Sequence, residues 1–294
     1  APRPLQFSLL RCIAVFLALL AIYALRPQSG LWHRRWLAGN VCDRAAGAVL
    51  AAILAAFVVV VPFWEPGNTG LATENYNVAF WDHESKISFV YEQYGALAHS
   101  LLNGRLDLMQ DPPEELLALD NPYDSTAREV AQVNSLWDHA YYNGRYYVYF
   151  GIVPCLLFQL PFEAVTGIQN LAYPPCMIVT GLLFLLASFG AVHQVVRRWF
   201  SQASAAAYLL SVAAIVLGSQ LYYLFVRPYI YEYAIACGTS LLMLALWFWL
   251  SAANTAVERR GVLLAKLALG SLCMALVAGC RPQMELFAVL ALPI

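Results

Sequence analysis

Leu136-Trp137-Asp138-His139-Ala140-Tyr141-Tyr142-Asn143-Gly144-Arg145-Tyr146-Tyr147 belongs to the stretch, Trp64 to about Phe150, around which the rest of the chain is arranged. Asn143-Gly144 is the strongest two-residue signal for a β-hairpin, because both turn positions need positive φ. These residues close that polar, acidic and aromatic region, which lies between apolar runs. Upstream, the same region carries Trp81-Asp82-His83-Glu84, Tyr91-Glu92-Gln93-Tyr94, Asn103-Gly104-Arg105 and Asp120-Asn121-Pro122-Tyr123-Asp124. Membrane helices holding one large loop at one face of a bilayer is the arrangement this pattern predicts.

Composition supports that arrangement. The chain is 61% hydrophobic and 12% charged, with a mean hydropathy of +0.61, whereas soluble domains carry about a quarter charged residues. Several apolar runs approach the roughly 20 residues that cross a bilayer. The expected fold class is an all-α polytopic membrane protein. It is a transmembrane helix bundle with a large extracytoplasmic first loop containing amphipathic helices and a small β-hairpin. The net charge of −1 hides a segregation: Trp64 to Tyr147 holds thirteen carboxylates and four basic residues, and the remainder holds thirteen basic and five acidic. Most of the latter basic residues fall at helix ends, which is unlike a nucleic-acid surface. The seven cysteines form no CxxC pair and mostly sit in apolar runs, so free buried thiols are expected.

Working outward from the loop, residues 1–44 form an N-terminal apolar helix, Leu5 to Leu25, followed by a basic segment, Arg26 to Arg44. Such a short basic loop belongs on the cytoplasmic side. Residues 45–294 form the transmembrane domain, with the loop at 64–150. Ala45 to Phe63 crosses outward. Ile87 to Leu102 has helix-like apolar spacing and predicts an amphipathic helix near the membrane surface, ended by Asn103-Gly104. Asp111-Pro112-Pro113-Glu114-Glu115 starts another short helix, with acids suited to a helix N-terminus. Val148 to Phe162 is apolar but short and holds Pro154 and Pro161, so it dips into or packs along the outer leaflet. Ala172 to Val196, Ala203 to Leu224, Tyr233 to Leu250 and Val262 to Gly279 are the remaining crossings, and the last residues begin a return helix. The chain has no initiator Met and stops inside the apolar run Leu286 to Ile294, so a truncated C-terminus is expected.

Several residues are suited to chemistry. Glu92 is the first carboxylate of interest, as a general base toward a hydroxyl or a ligand for a divalent metal; the plain alternative is a solvated helix-face charge. Asp82 and Glu84 share a site with Glu92 if the loop bends, or else form a turn before the helix. Asp120 and Asp124 flank Asn-Pro-Tyr, where turn formation is the simpler role. Asp138 and His139 stand beside the hairpin, and as strand neighbours they point to opposite faces. Trp137, Tyr141, Tyr142, Tyr146, Tyr147 and Tyr149 are suited to stacking on sugar rings, and equally to a membrane interface. Arg227 and Arg281 each precede a Pro at the outer end of a span, where a planar guanidinium can hold a lipid phosphate. Their structural alternative is an ion pair with Glu232 or Glu285, or snorkelling to the interface. Lys86, Arg105 and Arg145 are further cations of the loop.

The order of these parts, a membrane helix, a large outer loop with an early carboxylate, an aromatic half-helix and then a bundle, resembles the C-type (GT-C) membrane glycosyltransferases. That superfamily includes protein mannosyltransferases and lipid A aminoarabinose transferase. Glu92-Gln93-Tyr94 stands where those proteins often show Asp-Glu or Asp-x-Tyr, twelve residues before Gly104. Asn143-Gly144-Arg145-Tyr146-Tyr147-Val148-Tyr149-Phe150-Gly151-Ile152-Val153-Pro154 looks like a motif of bacterial members, as do Arg227-Pro228-Tyr229-Ile230-Tyr231-Glu232 and Gly279-Cys280-Arg281-Pro282. The chain departs from the pattern in having Glu92 where Asp is usual and no second acid beside it, which leaves the base open among Glu92, Asp82 and Glu84. The resemblance implies a bacterial plasma-membrane enzyme that moves a sugar from a polyprenyl-phosphate donor to an extracytoplasmic glycan, lipid or protein acceptor. Some members use a divalent metal. On that footing Arg281 and Arg227 hold the lipid phosphate, with Lys86, Arg145, Tyr146, Tyr147, Trp137, Asp138 and His139 around the substrate. The rival reading is a non-enzymatic transporter, flippase or assembly partner for lipid-linked sugars; transporters usually carry charges at mid-membrane and repeated halves.

Overall fold

A computed structural model describes residues 12, 15, 16, 19, 20, 22, 23, 26–61, 80–82, 87–89, 93–133, 135–136, 138–169, 171–226 and 228–292. The chain is mostly helical. Four helices are long and apolar enough to cross a bilayer: Val41–Val60, Tyr173–Trp199, Ile230–Ala253 and Val257–Ala278. In chain order the elements are α1 Gly30–His33, α2 Val41–Val60, β1 Phe80–Asp82, β2 Ile87–Phe89, α3 Gln93–Leu102, α4 Glu114–Leu117, α5 Ser125–Val130, β3 Ala140–Tyr142 and β4 Arg145–Tyr147. A π-helical turn, Cys155–Gln159, then leads into α6 Leu160–Thr166. After it come α7 Tyr173–Trp199, α8 Ala205–Gly218, α9 Leu221–Val226, α10 Ile230–Ala253, α11 Arg260–Ala278 and a 3-10 segment, Pro282–Ala291.

The long helices have identifiable starts and stops. Asn40 caps α2 by accepting from the Cys42 and Asp43 amides at 2.8 and 3.4 Å, and Ser204 caps α8 by accepting from Ala207 N at 3.1 Å, which satisfies amides a helix start leaves open. Arg197 and Arg198 occupy the last turn of α7, where cations suit the helix dipole. Arg198 donates to the Ala253 carbonyl at the end of α10, and Asn254 Nδ2 donates to Gln194 O at 3.0 Å. The basic segment folds onto this same end. Arg35 bridges Ser204, Trp36 stacks on Tyr208 at 3.8 Å, and Arg34 pairs with the fully buried Asp43. The described part of the 64–150 loop packs at the opposite ends of the same helices, against Tyr173, Tyr233 and Gly279. Basic ends and acidic loop therefore lie at the two ends of one bundle.

Several expectations need correction. Ile87–Phe89 is not the first turn of a helix but a strand, paired antiparallel with Phe80–Asp82; its β-branched and aromatic residues suit a pleated ladder. Nor does α3 lie on a surface. Gln93, Tyr94, Gly95, Leu97, Ala98 and Ser100 are all buried, and His99 Nδ1 meets the buried Glu163 carboxylate of α6 at 2.7 Å. Ala203 to Leu224 is not one crossing. Gln220 adopts φ 58 and breaks it, leaving 14 residues in α8, roughly 21 Å of helix against a hydrocarbon core of about 30 Å. The chain after Gly279 is a 3-10 segment of ten residues in place of a return α-helix. The cysteines are free, but Cys12 and Cys42 are exposed.

Other expectations hold. Gly104 takes φ 72 just past α3, Glu114–Leu117 is a short helix, and Asp124 caps α5 through Thr126 N at 2.9 Å. The hairpin forms around Asn143 and Gly144, at φ 49 and 71, with Tyr141 opposite Tyr146. Cys155–Thr166 is too short to cross a bilayer. Most of the Leu5 to Leu25 run lies outside the described residues.

Candidate functional site

Tyr94 anchors the site from below. Its ring is fully buried and meets Tyr173 and Tyr233 edge-on at 6.3 and 5.7 Å, while those two stack on each other at 4.9 Å. A buried phenol needs a partner, and the Tyr94 hydroxyl donates to Gly151 O at 3.1 Å. Tyr233 does the same for Pro154 O at 3.2 Å. The segment 151–154 is thereby held between α3 and α10. It also touches the end of α11, since Val153 N donates to Gly279 O at 2.9 Å. A Cβ at Gly151 would fall 2.0 Å from that same oxygen, so only glycine allows the approach. Three of the short motifs, at 93–94, 151–154 and 279–281, meet here.

Arg281 emerges from this contact. Its guanidinium lies 5.0 Å from the Phe150 ring centre and 5.6 Å from that of Tyr231, and the two rings meet edge-on at 5.3 Å. Nη2 donates to Tyr231 O at 3.5 Å. The pairing with Glu232 or Glu285 is not formed: among the described residues Arg281 has no ion-pair partner, and its Nε is buried without a hydrogen bond. Aromatic faces favour the cation without neutralising it, so the guanidinium keeps its capacity to bind an anion.

Beside it opens a cavity of about 700 Å³ lined in part by Arg128, Asp138, His139, Tyr141, Tyr146 and Tyr149. Asp138 and His139 both face it, contrary to the strand expectation. The reason is local: Asp138 has φ 61 and precedes the strand Ala140–Tyr142, so the alternation of a strand does not apply to the pair. The Tyr149 hydroxyl donates to Asp138 Oδ1 at 2.6 Å. That bond, aided by burial, pushes the Tyr149 phenol up to about 12. Gln93 Nε2 donates to the Asp138 carbonyl at 3.3 Å, tying the start of α3 to the cavity wall. Tyr149 stacks on Phe150 at 4.4 Å, so consecutive residues serve the cavity and the cradle of Arg281.

The remaining expected site residues divide. Tyr146 is buried, lines the cavity, and its hydroxyl accepts from Leu136 N at 3.3 Å. Arg145 points elsewhere, toward Asp107 at 3.3 Å, where Arg105 also pairs; the Arg105 hydrogen bond holds the Asp107 carboxyl below its ordinary value. Tyr147 is half-buried and is absent from the cavity wall. Asp82 is placed by its backbone, at the end of β1. Glu92, Glu84, Lys86, Trp137 and Arg227 lie outside the described residues. Sequence reasoning missed Phe150 and Tyr231 as the cradle, although each stands inside a quoted motif, and it missed Arg128, Glu129 and Gln132, whose short helix carries no distinguishing pattern. Among the described residues no three His, Cys, Asp or Glu side chains converge as a metal site.

Comparison with protein-family models, curated proteins and solved structures finds no match.

Proposed function

We propose that this chain is an integral-membrane glycosyltransferase that moves a sugar from a polyprenyl-phosphate donor to an acceptor on the outer face. The observation that carries the reading is Arg281, a guanidinium with no carboxylate partner among the described residues, cradled by Phe150 and Tyr231 next to a polar aromatic cavity. It lies at the bundle end away from the basic helix termini. Those termini belong on the cytoplasmic side by the charge rule, which supports reading the cavity as extracytoplasmic, on what we take to be a bacterial plasma membrane.

In this reading the acceptor hydroxyl attacks the anomeric carbon and gives its proton to a carboxylate. The bond from that carbon to the phosphate oxygen breaks, and the lipid phosphate leaves with the electron pair. Arg281 stabilises the charge on the departing phosphate, a role in which one fixed donor is worth about a hundredfold or more in rate. Glu92 is the first choice for the base, immediately before Gln93, with Asp82 and Glu84 as the other two. Asp138, His139 and Tyr146 bound the sugar pocket.

The test is transfer from a radiolabelled polyprenyl-phosphate sugar by the purified, reconstituted protein. Loss of polyprenyl-phosphate release in Arg281→Gln and Glu92→Gln, with unchanged thermal melting, supports the reading. Undiminished release in both variants removes it, and label crossing the bilayer still attached to its lipid points to a flippase instead.

A further inference from the structure

A second cavity, of about 820 Å³, lies far from this site, between α7, α8 and α10 at the basic end of the bundle. Val195, Trp199, Ala207, Ile215, Leu246 and Leu250 wall it. Two hydroxyls along its length are already engaged: Tyr208 donates to Phe189 O at 3.1 Å and Ser211 to Ala207 O at 2.8 Å. What the walls offer an occupant is thus apolar surface. Along α7 from Ala191 to Trp199, and along α8 from Ala207 to Ile215, the cavity extends roughly 12 Å, most of the depth of one bilayer leaflet, about 15 Å.

Polarity is gathered at one end. Ser201 and Gln202 close the groove in the turn between α7 and α8. Arg198 sits at the same mouth. It donates to Ala253 O, three residues beyond the wall residue Leu250, and its guanidinium lies 5.2 Å from the ring of Trp199. The Arg35 backbone is held at the other side of the mouth by an antiparallel bridge to Ser204, next to the wall residue Ala203. Both arginines are exposed, and neither has an ion-pair partner among the described residues.

We infer that this groove is a binding site for one anionic membrane phospholipid, with an acyl chain lying between α7, α8 and α10 and the phosphate headgroup at Arg198 and Arg35. An apolar trough ending in hydrogen-bond donors and two free cations matches an amphiphile with a negative head. A neutral lipid would leave the cations unanswered. This site does not depend on the transferase reading.

Trp199 gives a direct readout. The purified full chain in detergent is titrated with phosphatidylglycerol brominated on its acyl chain, and with the equivalent phosphatidylcholine. The Trp199 signal is taken as the difference between the parent chain and Trp199→Phe. Phosphatidylglycerol is expected to quench at lower mole fraction than phosphatidylcholine. Arg35→Gln and Arg198→Gln each raise the half-quenching concentration about fivefold, Arg198→Lys restores most of the preference, and Ala207→Phe removes the quenching. Equal quenching by the two headgroups overturns the proposal. So does no quenching of Trp199 by either lipid, the result expected if the N-terminal apolar run or a second copy fills the groove. If Ala207→Phe does not fold, the comparison of headgroups and the Arg35→Gln shift still decide.

Discussion

Gly151 and Gly279 approach so closely that a single methyl on Gly151 would collide with the Gly279 carbonyl oxygen. That oxygen is also the acceptor for Val153 N, so it cannot retreat without breaking a buried hydrogen bond. Gly151→Ala is therefore expected to cost about 1–3 kcal/mol by overpacking and to displace Arg281. Gly39→Ala, where nothing stands within 4 Å, serves as the control. Thermal unfolding in detergent measures the first effect, and substrate transfer the second.

Arg281 makes a sharper case, because its role and its stability effect separate. With no ion pair to lose, Arg281→Gln should leave the melting temperature nearly unchanged while transfer falls about a hundredfold or more. Arg281→Lys keeps the charge but loses the planar fork, and an intermediate rate is expected. A large drop in melting temperature would show instead that the arginine is a structural strut.

Tyr149 and Asp138 supply a pH signature. The hydrogen bond to Asp138 raises the Tyr149 phenol from 10.0 to about 12. A raised pKa means that the bond contributes fully below pH 10 and is lost as pH climbs toward 12. Burial raises other phenols too, Tyr146 among them, so absorbance titration of the tyrosines should show one late group fewer in Asp138→Asn than in the parent chain. If Asp138→Asn leaves every late group in place, the pair is not formed in solution.

Asp107 behaves in the opposite sense. Its carboxyl is held below 3.8, first by the Arg105 hydrogen bond. The clasp it makes with Arg105 and Arg145 is therefore present at neutral pH and is lost only as the pH falls below that value. Asp107→Asn should speed amide exchange in the hairpin Ala140–Tyr147 at neutral pH, where the parent chain is protected. Equal exchange in both would mean the hairpin is held by Tyr146 packing alone.

Local signals in the sequence translated well into structure. Asn143-Gly144 gave a hairpin because two left-handed residues in a row leave the backbone little else to do, and Gly104 ended a helix for the same reason. The long crossings were legible from apolar length alone. The failures came where tertiary contacts outvoted local pattern. Ile87–Phe89 carries helical spacing yet pairs with a strand that no short-range rule could announce. Ala203 to Leu224 is largely apolar, and its break depends on one backbone angle at Gln220. Asp138 and His139 face one cavity only because Asp138 leaves the strand conformation, and the cradle of Phe150 and Tyr231 around Arg281 joins positions remote in sequence.

The carbonyl that fixes Gly151 belongs to a helix end made more than a hundred residues later. During synthesis, at about 5–20 residues per second, the segment 151–154 leaves the ribosome roughly ten seconds before its partner Gly279 exists. Until then its amide at Val153 has no acceptor from the bundle. The segment 151–154 is thus an early part waiting for a late one. Biogenesis of this protein should pass through an intermediate in which this segment is exposed to proteases and to whatever factors shepherd nascent membrane chains, and arrest of translation before Gly279 should trap it.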